Sequence, residues 1–482
     1  MSDFSQLLTE YIHQKNIRIY SLSEYCGVDR SLMYKIIHGK RLPASALVVD
    51  KIAEYLRLTP GEFQELSTAY AVEAQGYDNF YRRRDIFNFL NNFKNIANTN
   101  HLDHSRAELP LFETDLVALD NPTQVNQAVL SIIARQLQAG DGEINLLLRT
   151  DYPFLTHLLI SMAHHSKSVK INHIIQLNNS EQINHKKNYN LHRLMDILPL
   201  CTCGCSYLPY YYYDNILSED GLRLFPYMIL TDSGAVLLSD TLESGVFSQQ
   251  PDFLSLLRSL FSQYKAQSRV LLKKIDNIPE QITYIQDSFT ADCSAEYILQ
   301  MTPCMTDLLT GELLEKYINP GLPSRQSQIQ NLTEHIRGLN KYFSQSPVVI
   351  IFSEEGIQHF LDTGLLEEYP SYIYSPFSLR DRLRLLERFV NKYRDLPQRI
   401  RMLRQSIGSV KNGANIHVCS HSGYLFFTPV SFDVPVWLDI RESGLLSAFL
   451  DFFEHMDDSM FYPHMETIFR IEQLIQKYSE QL

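Results

Sequence analysis

Residues 19–56 constrain the fold of this chain more than any other segment. Residues 22–26 have the spacing of a short helix, and Gly27 follows them where a tight turn needs a positive φ angle. Asp29 is a favoured N-cap residue and predicts a second helix over residues 30–38. The segment therefore predicts two short helices joined by a tight turn.

The second of these helices has two chemically different sides. Its buried side is predicted by three apolar residues at helical spacing, Met33, Ile36 and Ile37. The polar and charged residues predict its exposed side, and they are Arg30, Ser31, Tyr34 and Lys35. We therefore expect one side to pack and the other to face a binding partner.

The loop after this helix extends the basic surface. Gly39 is expected to end the helix, Lys40 and Arg41 follow it, and Pro43 marks the start of another apolar-periodic helix. Residues 30–41 carry four basic side chains and no carboxylate. Such a surface suits contact with phosphates.

This order of residues resembles the helix-turn-helix of the Cro and phage-repressor (XRE) family of bacterial regulators. The resemblance rests on Leu22, Ser23, Gly27, Val28, Ile36, Gly39, Lys40, Arg41, Pro43, Ile52, Ala53 and Leu56. It covers roughly residues 3–71. It implies that the second helix of the motif enters the major groove of double-stranded DNA and that the loop after it touches phosphates.

The resemblance also assigns roles to individual residues. It implies that the residues which contact the edges of DNA bases are Arg30, Ser31, Tyr34 and Lys35. It makes phosphate candidates of Arg18, Lys40 and Arg41. Ser23 and Cys26 depart from the family pattern, which favours a small apolar residue and an aliphatic one, but both are small enough to fit. The alternative is a helical bundle used for protein contacts, against which the basic face argues.

The length of 482 residues is too great for one compact core and suggests about three domains. We predict an α+β multidomain chain, in which an all-α helix-turn-helix bundle is followed by a mixed α/β body. The predicted divisions are a DNA-binding domain over residues 1–76, a connector over residues 77–110, a first, sensor-like α/β domain over residues 111–275 and a second, helix-rich α/β domain over residues 276–482.

The N-terminal region and the rest of the chain differ in net charge. The formal net charge is −12, whereas residues 1–76 hold eight basic and nine acidic side chains, so the acidic excess lies downstream. An acidic body repels DNA and confines nucleic-acid contact to the local basic face. With no apolar run of membrane-spanning length and no signal-peptide pattern, we expect a cytoplasmic protein without a membrane partner.

Two segments of the body repeat one pattern of strand, Ser-Gly turn, strand and helix. The first is a hairpin over residues 224–239 and a helix over residues 252–267; the second is a hairpin over residues 416–428 and a helix over residues 443–455. We interpret the pair as a diverged internal duplication. Helices are also predicted over residues 378–393 and 397–407.

Cysteines and histidines offer one candidate for metal or redox chemistry. Cys201, Cys203 and Cys205 alternate in the run CTCGC, and His185 and His192 lie upstream. They could bind zinc or copper(I) or sense oxidants, but the spacing is not that of a zinc knuckle. Small buried residues at a strand edge are the favoured interpretation, so we expect no metal and no cofactor.

Residues 185–192 nearly match a catalytic signature. Their sequence, HKKNYNLH, resembles the H-x-K-x4-D motif of the phospholipase D superfamily, with His192 at the aspartate position. That chemistry needs two histidines that converge on a phosphate, and the second half of the chain has no matching copy. Separately from this motif, the body as a whole resembles in architecture the catalytically inactive, ligand-sensing domains of some bacterial regulators, a resemblance of fold that no particular residues carry. It implies a body that senses a ligand and does not catalyse a reaction.

A run of five tyrosines between residues 207 and 213 is the remaining candidate site. Tyr207, Tyr210 and Tyr212 could line a pocket for an aromatic or sugar-like effector, or they could belong to a half-buried strand.

From these features we expect a transcriptional regulator that is not an enzyme. It would bind operator DNA as a homodimer and respond to a small-molecule effector. The alternative is a phosphodiester- or nucleotide-processing enzyme that carries a DNA-binding module.

Overall fold

The computed structural model describes residues 3–97, 114–162, 168–179, 188–202, 205–214, 224–275, 280–281, 283–284, 295–430 and 434–482. These residues divide into two compact units, of which the first ends at Asp85 and the second begins at Ile86. No described helix is long and apolar enough to cross a membrane.

The first unit is built from helices alone. They are α1 (Asp3–Gln14), α2 (Ile19–Cys26), α3 (Arg30–Ile37), α4 (Ala46–Leu56), α5 (Pro60–Gln75) and the beginning of α6 (Tyr77–Asn91). Their bounds follow local signals: Gly27 ends α2 at φ 69°, and Thr59 and Glu62 form a capping box at the start of α5. The core of the unit includes Leu8, Leu22 and Ile52, all fully buried.

The second unit begins with the last turns of α6 and with α7 (Phe93–Ala97). Its first half contains one mixed sheet of eight strands in the order β1-β7-β6-β5-β2-β3-β4-β8. The strands are β1 (Leu116–Leu119), β2 (Glu143–Leu147), β3 (Lys170–Asn178), β4 (Ser206–Asp214), β5 (Tyr227–Leu230), β6 (Ala235–Leu238), β7 (Gly245–Ser248) and β8 (Arg269–Val270). The helices are α8 (Pro122–Ala139), α9 (Pro153–Met162), α10 (Tyr189–Cys201) and α11 (Pro251–Gln267).

A second mixed sheet has seven strands in the order β12-β11-β10-β13-β14-β15-β9. The strands are β9 (Leu272–Ile275), β10 (Glu296–Leu299), β11 (Val348–Ser353), β12 (Ile400–Leu403), β13 (Asn415–Cys419), β14 (Gly423–Phe427) and β15 (Val436–Ile440). The helices are α12 (Gly311–Tyr317), α13 (Arg325–Gln345), α14 (Glu354–Thr363), α15 (Leu379–Tyr393), α16 (Ser443–Glu454) and α17 (His464–Ser479).

The two sheets repeat one topology, which supports the predicted duplication. In each, three parallel strands (β2, β3, β4 and β10, β11, β12) are followed by an antiparallel meander (β5, β6, β7 and β13, β14, β15). The strand before each set, β1 or β9, pairs with the last strand of the meander. The fold class is confirmed: a helical N-terminal region precedes a mixed α/β body with two mixed sheets.

The hydrophobic clusters place the helices on the sheets. Helix α11 covers one face of the first sheet, and the other face packs with α8, α9 and α10. The same large cluster contains α16 and one face of the second sheet. The remaining face of the second sheet is covered by α13, α14, α15 and α17.

The helix predicted over residues 397–407 is wrong. Residues Ile400–Leu403 form the edge strand β12, which pairs in parallel with β11. Ile400, Met402 and Leu403 are buried and Arg401 is half-buried, so most of this short strand lies in the core, as is typical of strands in a parallel pair. Pairing with a distant strand outweighs the helix propensity of Arg, Met and Leu.

Two segments pack with parts of the chain to which the predicted domain divisions do not assign them. Much of the predicted connector, residues 77–97, is helical as α6 and α7, and Phe89 and Phe93 are fully buried in the core of the second unit. Strand β9, in the predicted first α/β domain, pairs with β15 of the second sheet. The predicted division between residues 275 and 276 therefore assigns β9 to the first α/β domain, although β9 belongs to the second sheet.

Candidate nucleic-acid interface

The turn between α2 and α3 is fixed by two local features. Gly27 adopts a left-handed conformation at φ 69°, where a side chain would be strained. The Asp29 carboxylate then accepts hydrogen bonds from the backbone N–H groups of Ser31, at 2.8 Å, and Leu32, at 3.3 Å. These contacts confirm Asp29 as the N-cap and set where α3 begins.

Helix α3 has the predicted buried and exposed sides. Met33, Ile36 and Ile37 are buried in the core of the first unit. The opposite side is exposed and carries Arg30, Ser31, Tyr34 and Lys35. The Thr9 hydroxyl of α1 donates to the Ile37 carbonyl at 3.2 Å and so anchors the end of α3 to α1. The exposed residues are therefore presented by a helix whose other side is held in the core.

The exposed face of α3 forms a row of stacked side chains. The Arg30 guanidinium lies 5.8 Å from the centre of the Tyr34 ring. The Tyr34 and His38 rings stack with centroids 6.2 Å apart. Because Arg and an aromatic ring attract each other, Arg30 is partly ordered along the helix before any ligand arrives.

The loop after α3 presents two further cations. Gly39, at φ 68°, lets the chain reverse, and the backbone N–H groups of Lys40 and Arg41 both donate to the Lys35 carbonyl. Lys40 and Arg41 are exposed, as is Arg18 before α2. Among the described residues, none of the five cations Arg18, Arg30, Lys35, Lys40 and Arg41 forms an ion pair with a carboxylate. Their charges are therefore available to phosphates.

The two departures from the family pattern are accommodated in the core. Ser23 is buried, and its hydroxyl donates to the Tyr20 carbonyl at 2.7 Å, so its polar atom is satisfied. Cys26 is buried at the end of α2, and burial raises the pKa of its thiol to about 11. A thiol with so high a pKa behaves as a small apolar side chain.

The structure does not bring the three candidate pocket tyrosines together. Side chains alternate along β4, so Tyr207 lies on one face of the strand and Tyr210 and Tyr212 on the other. Tyr207 is buried in the large cluster, and its hydroxyl lies 2.8 Å from Nδ1 of His173. Tyr210 and Tyr212 pack in the smaller cluster under α11, and the Lys265 ammonium lies 5.0 Å from the Tyr210 ring centre. The prediction of one pocket lined by all three tyrosines is therefore wrong, because they lie on opposite faces of the strand.

The cysteine run does not lie on one strand. Cys201 is the last residue of α10, where its thiol donates to the Ile197 carbonyl at 3.6 Å. Cys205 is buried immediately before β4, whereas Cys203 lies outside the described residues. Within the described part of the chain, no group of three or more His, Cys, Asp or Glu side chains is placed to hold a metal ion.

The motif-like segment around residue 185 is only partly described. His185 lies outside the described residues, and His192 is exposed on α10. The neighbouring Arg193 pairs with Asp151, at 3.2 Å, and Asp196, at 3.5 Å.

Sequence reasoning missed the buried polar groups of the second sheet. The carboxylate of Glu296 on β10 contacts Nε2 of His417 on β13 and accepts a hydrogen bond from the Tyr342 hydroxyl on α13. All three belong to different elements, separated by up to 121 positions in the sequence. No local spacing could have associated them.

Comparison with known proteins agrees with the geometry of the first unit. Residues 8–69 match the family model of the Cro/C1-type HTH DNA-binding domain. The N-terminal unit is therefore a helix-turn-helix DNA-binding domain of the Cro/C1 type. No curated protein matches the chain in sequence.

Three solved structures are distantly similar, each with 11% sequence identity. The archaeal chromatin protein TrmBL2 matches with a TM-score of 0.20, over 51% of this chain and 84% of that one. Polyphosphate kinase from Porphyromonas gingivalis matches with a TM-score of 0.20, over 76% and 55%. Phosphatidylserine synthase from Haemophilus influenzae Rd KW20 matches with a TM-score of 0.22, over 83% and 97%. TM-scores this low do not establish a shared fold.

Proposed function

We propose that this chain is a sequence-specific transcriptional regulator whose α3 reads an operator in the major groove of double-stranded DNA. The observation that carries the proposal is the exposed basic surface of α3 and its following loop, which has no ion pair with a described carboxylate. In a chain of net charge −12, this surface is a local concentration of exposed cations to which a polyanion such as DNA would be attracted. Arg30, Ser31, Tyr34 and Lys35 would meet base edges, and Arg18, Lys40 and Arg41 would meet phosphates.

We further propose that the regulator binds DNA as a homodimer. One helix-turn-helix buries too little surface for operator-level affinity, and two copies reading half-sites about one helical turn apart would supply it. Helix α11 of the body offers a surface for self-association: Leu256, Leu260 and Tyr264 recur every four residues and are 54%, 39% and 48% exposed. Arg258 is the one charged residue between positions 255 and 264, and its guanidinium donates to the Asp232 carbonyl at 2.8 Å. Two acidic chains could therefore meet here with little charge repulsion.

The body would sense a small-molecule effector or mediate assembly, without catalysis. A phosphodiester- or nucleotide-processing activity is the competing function. It predicts turnover of a chromogenic phosphodiester or of nucleotides with a divalent cation, whereas our proposal predicts rates equal to those of buffer alone.

Selection from a random pool of duplex DNA tests the regulatory proposal. The full chain should enrich a sequence with two related half-sites whose centres lie about 10 base pairs, or a multiple of this, apart. Sequencing the DNA recovered with the purified protein should give the same motif. Recovery of DNA without any enriched motif would contradict sequence-specific binding.

A further inference from the structure

A buried cavity lies between the second sheet and α13. Its volume is about 40 Å³, enough for roughly two or three water molecules. The lining comes from Gln300 after β10, His335 on α13, Glu368 in the loop after α14, and Trp437 on β15. The rest of the lining includes the rings of Tyr424 and Phe426, and it contains no Lys or Arg.

Several polar atoms in this lining lack hydrogen bonds of normal geometry within the described part of the chain. They are Nε2 of Gln300, Nδ1 of His335, Nε1 of Trp437 and both carboxylate oxygens of Glu368. Each of these residues is more than nine-tenths buried. Because unsatisfied buried polar groups are costly and rare in native proteins, their concentration around one cavity indicates that something occupies it.

The chemistry of the lining favours a cation. Glu368 provides a carboxyl group, and burial raises its pKa, although the Gln300 amide and the Cys304 thiol face it and partly stabilise its charge. An ammonium group beside it would supply the missing partner and favour the ionised carboxylate. The Phe426 and Trp437 rings stack with centroids 4.4 Å apart, and Tyr424 lies 5.0 Å from Trp437. Stacked aromatic faces are the usual walls of sites for organic cations.

We propose that this cavity binds a small organic amine of about two to four non-hydrogen atoms. Its ammonium group would donate to Glu368 and lie against the aromatic rings, and a hydroxyl or carbonyl oxygen on the same molecule would accept from the Trp437 N–H. This inference deepens the effector-sensing part of the proposed function. Its test uses no DNA, so a failure of amine binding and a failure of operator binding are distinguishable.

The chain contains a single tryptophan, so selectively excited tryptophan fluorescence of the full protein reports on Trp437 alone. We would titrate methylammonium and ethanolamine, with ethanol and ethylene glycol as neutral counterparts and potassium chloride as the ionic-strength control. The amines should give saturable fluorescence changes and raise the melting temperature, at concentrations at least tenfold below any effect of the neutral molecules. Ethanolamine should bind more tightly than methylammonium.

Substitutions separate the amine site from general effects. Glu368→Gln should weaken amine binding at least tenfold, whereas Glu334→Gln, on the exposed side of α13, should leave it unchanged. Trp437→Phe, followed by melting temperature, should remove the preference for ethanolamine. Equal binding of amines and neutral molecules, unchanged binding in Glu368→Gln, or no saturable binding at millimolar concentrations would each overturn the proposal. If Glu368→Gln does not fold, the wild-type comparison of amines with alcohols decides.

Discussion

The guanidinium carbon of Arg30 lies 5.8 Å from the centre of the Tyr34 ring, one turn further along α3. Both side chains are exposed, so the contact is made on the surface that would face DNA. A cation–π contact holds the arginine close to the helix and lowers the entropy lost when it meets a base edge or a phosphate. The interface is therefore partly organised in the absence of DNA.

Lys40 should contribute to affinity for all DNA and not to sequence preference. Because it lies in the loop after α3, Lys40→Ala should weaken cognate and random duplexes about equally and reduce the slope of log affinity against log salt by about one. Fluorescence anisotropy across a salt series measures both quantities. Lys477→Ala, an exposed lysine on α17, is the matched control and should change neither.

Asp29 should stabilise α3 by capping it. Asp29→Ala removes the acceptor of two backbone hydrogen bonds and should destabilise the first unit by about 1 kcal/mol. Hydrogen exchange of the α3 amides in the full chain measures the loss. Asp50→Ala, at an exposed position inside α4, should leave exchange unchanged, and equal effects of the two substitutions would contradict the capping role.

The structure of the first unit is close to what its sequence predicts, because the residues that determine its helices act locally. Asp29, Gly27 and Gly39 act within a few residues of their own position, and apolar spacing selects the buried side of α3. The hairpins at residues 224–239 and 416–428 were predictable for the same reason, since a Ser-Gly turn between apolar runs defines both strands.

The body departs from prediction where distant contacts decide. Residues 400–403 have helix-forming side chains, yet pairing with β11 makes them a strand. The tyrosine run lies on strand β4, which is one of the two interpretations of its sequence. The three candidate pocket residues occupy odd and even positions of that strand, so Tyr207 faces away from Tyr210 and Tyr212. Gln300, His335 and Glu368 come from separate segments of the chain and line the cavity beside Trp437. Their spacing in the sequence does not predict that they lie together.

His173 should make stability depend on pH. Its Nε2–H donates to the Leu148 carbonyl at 3.0 Å, and its Nδ1 accepts from the Tyr207 hydroxyl at 2.8 Å. Burial lowers the pKa of His173 to about 4, whereas an unfolded histidine has a pKa of about 6.5. Between these values the unfolded chain binds a proton that the folded chain does not. The contribution of His173 to the free energy of unfolding should therefore fall by roughly 3 kcal/mol as the pH falls from about 6.5 to about 4. Below about pH 4 this contribution should fall no further.

The contribution of His173 is isolated by comparison with His173→Gln, whose amide can also donate and accept. The wild type should be more stable than the variant at neutral pH, and this difference in the free energy of unfolding should shrink between about pH 6.5 and pH 4. Denaturant unfolding at a series of pH values gives the difference. A constant difference across that range would show that His173 does not stay neutral in the folded state.

The exposed face of α11 should hold the dimer together. Leu260→Glu places a charge in the centre of the apolar row and should weaken self-association at least tenfold while leaving the fold intact. Sedimentation velocity measures the monomer fraction, and Met465→Glu, at an exposed apolar position on α17, serves as the control. A Leu260→Glu protein that stays dimeric at micromolar concentration would place the assembly surface elsewhere.

The most direct test of base reading by α3 is a footprint of the selected operator with the wild type and with an Arg30→Ala, Lys35→Ala double variant. Each single substitution should cost roughly 1–3 kcal/mol on the operator and relax base preference at the positions it reads. We predict that the double variant loses protection of the operator while it retains weak, salt-sensitive binding to any duplex. An unchanged footprint from a folded double variant would contradict the account.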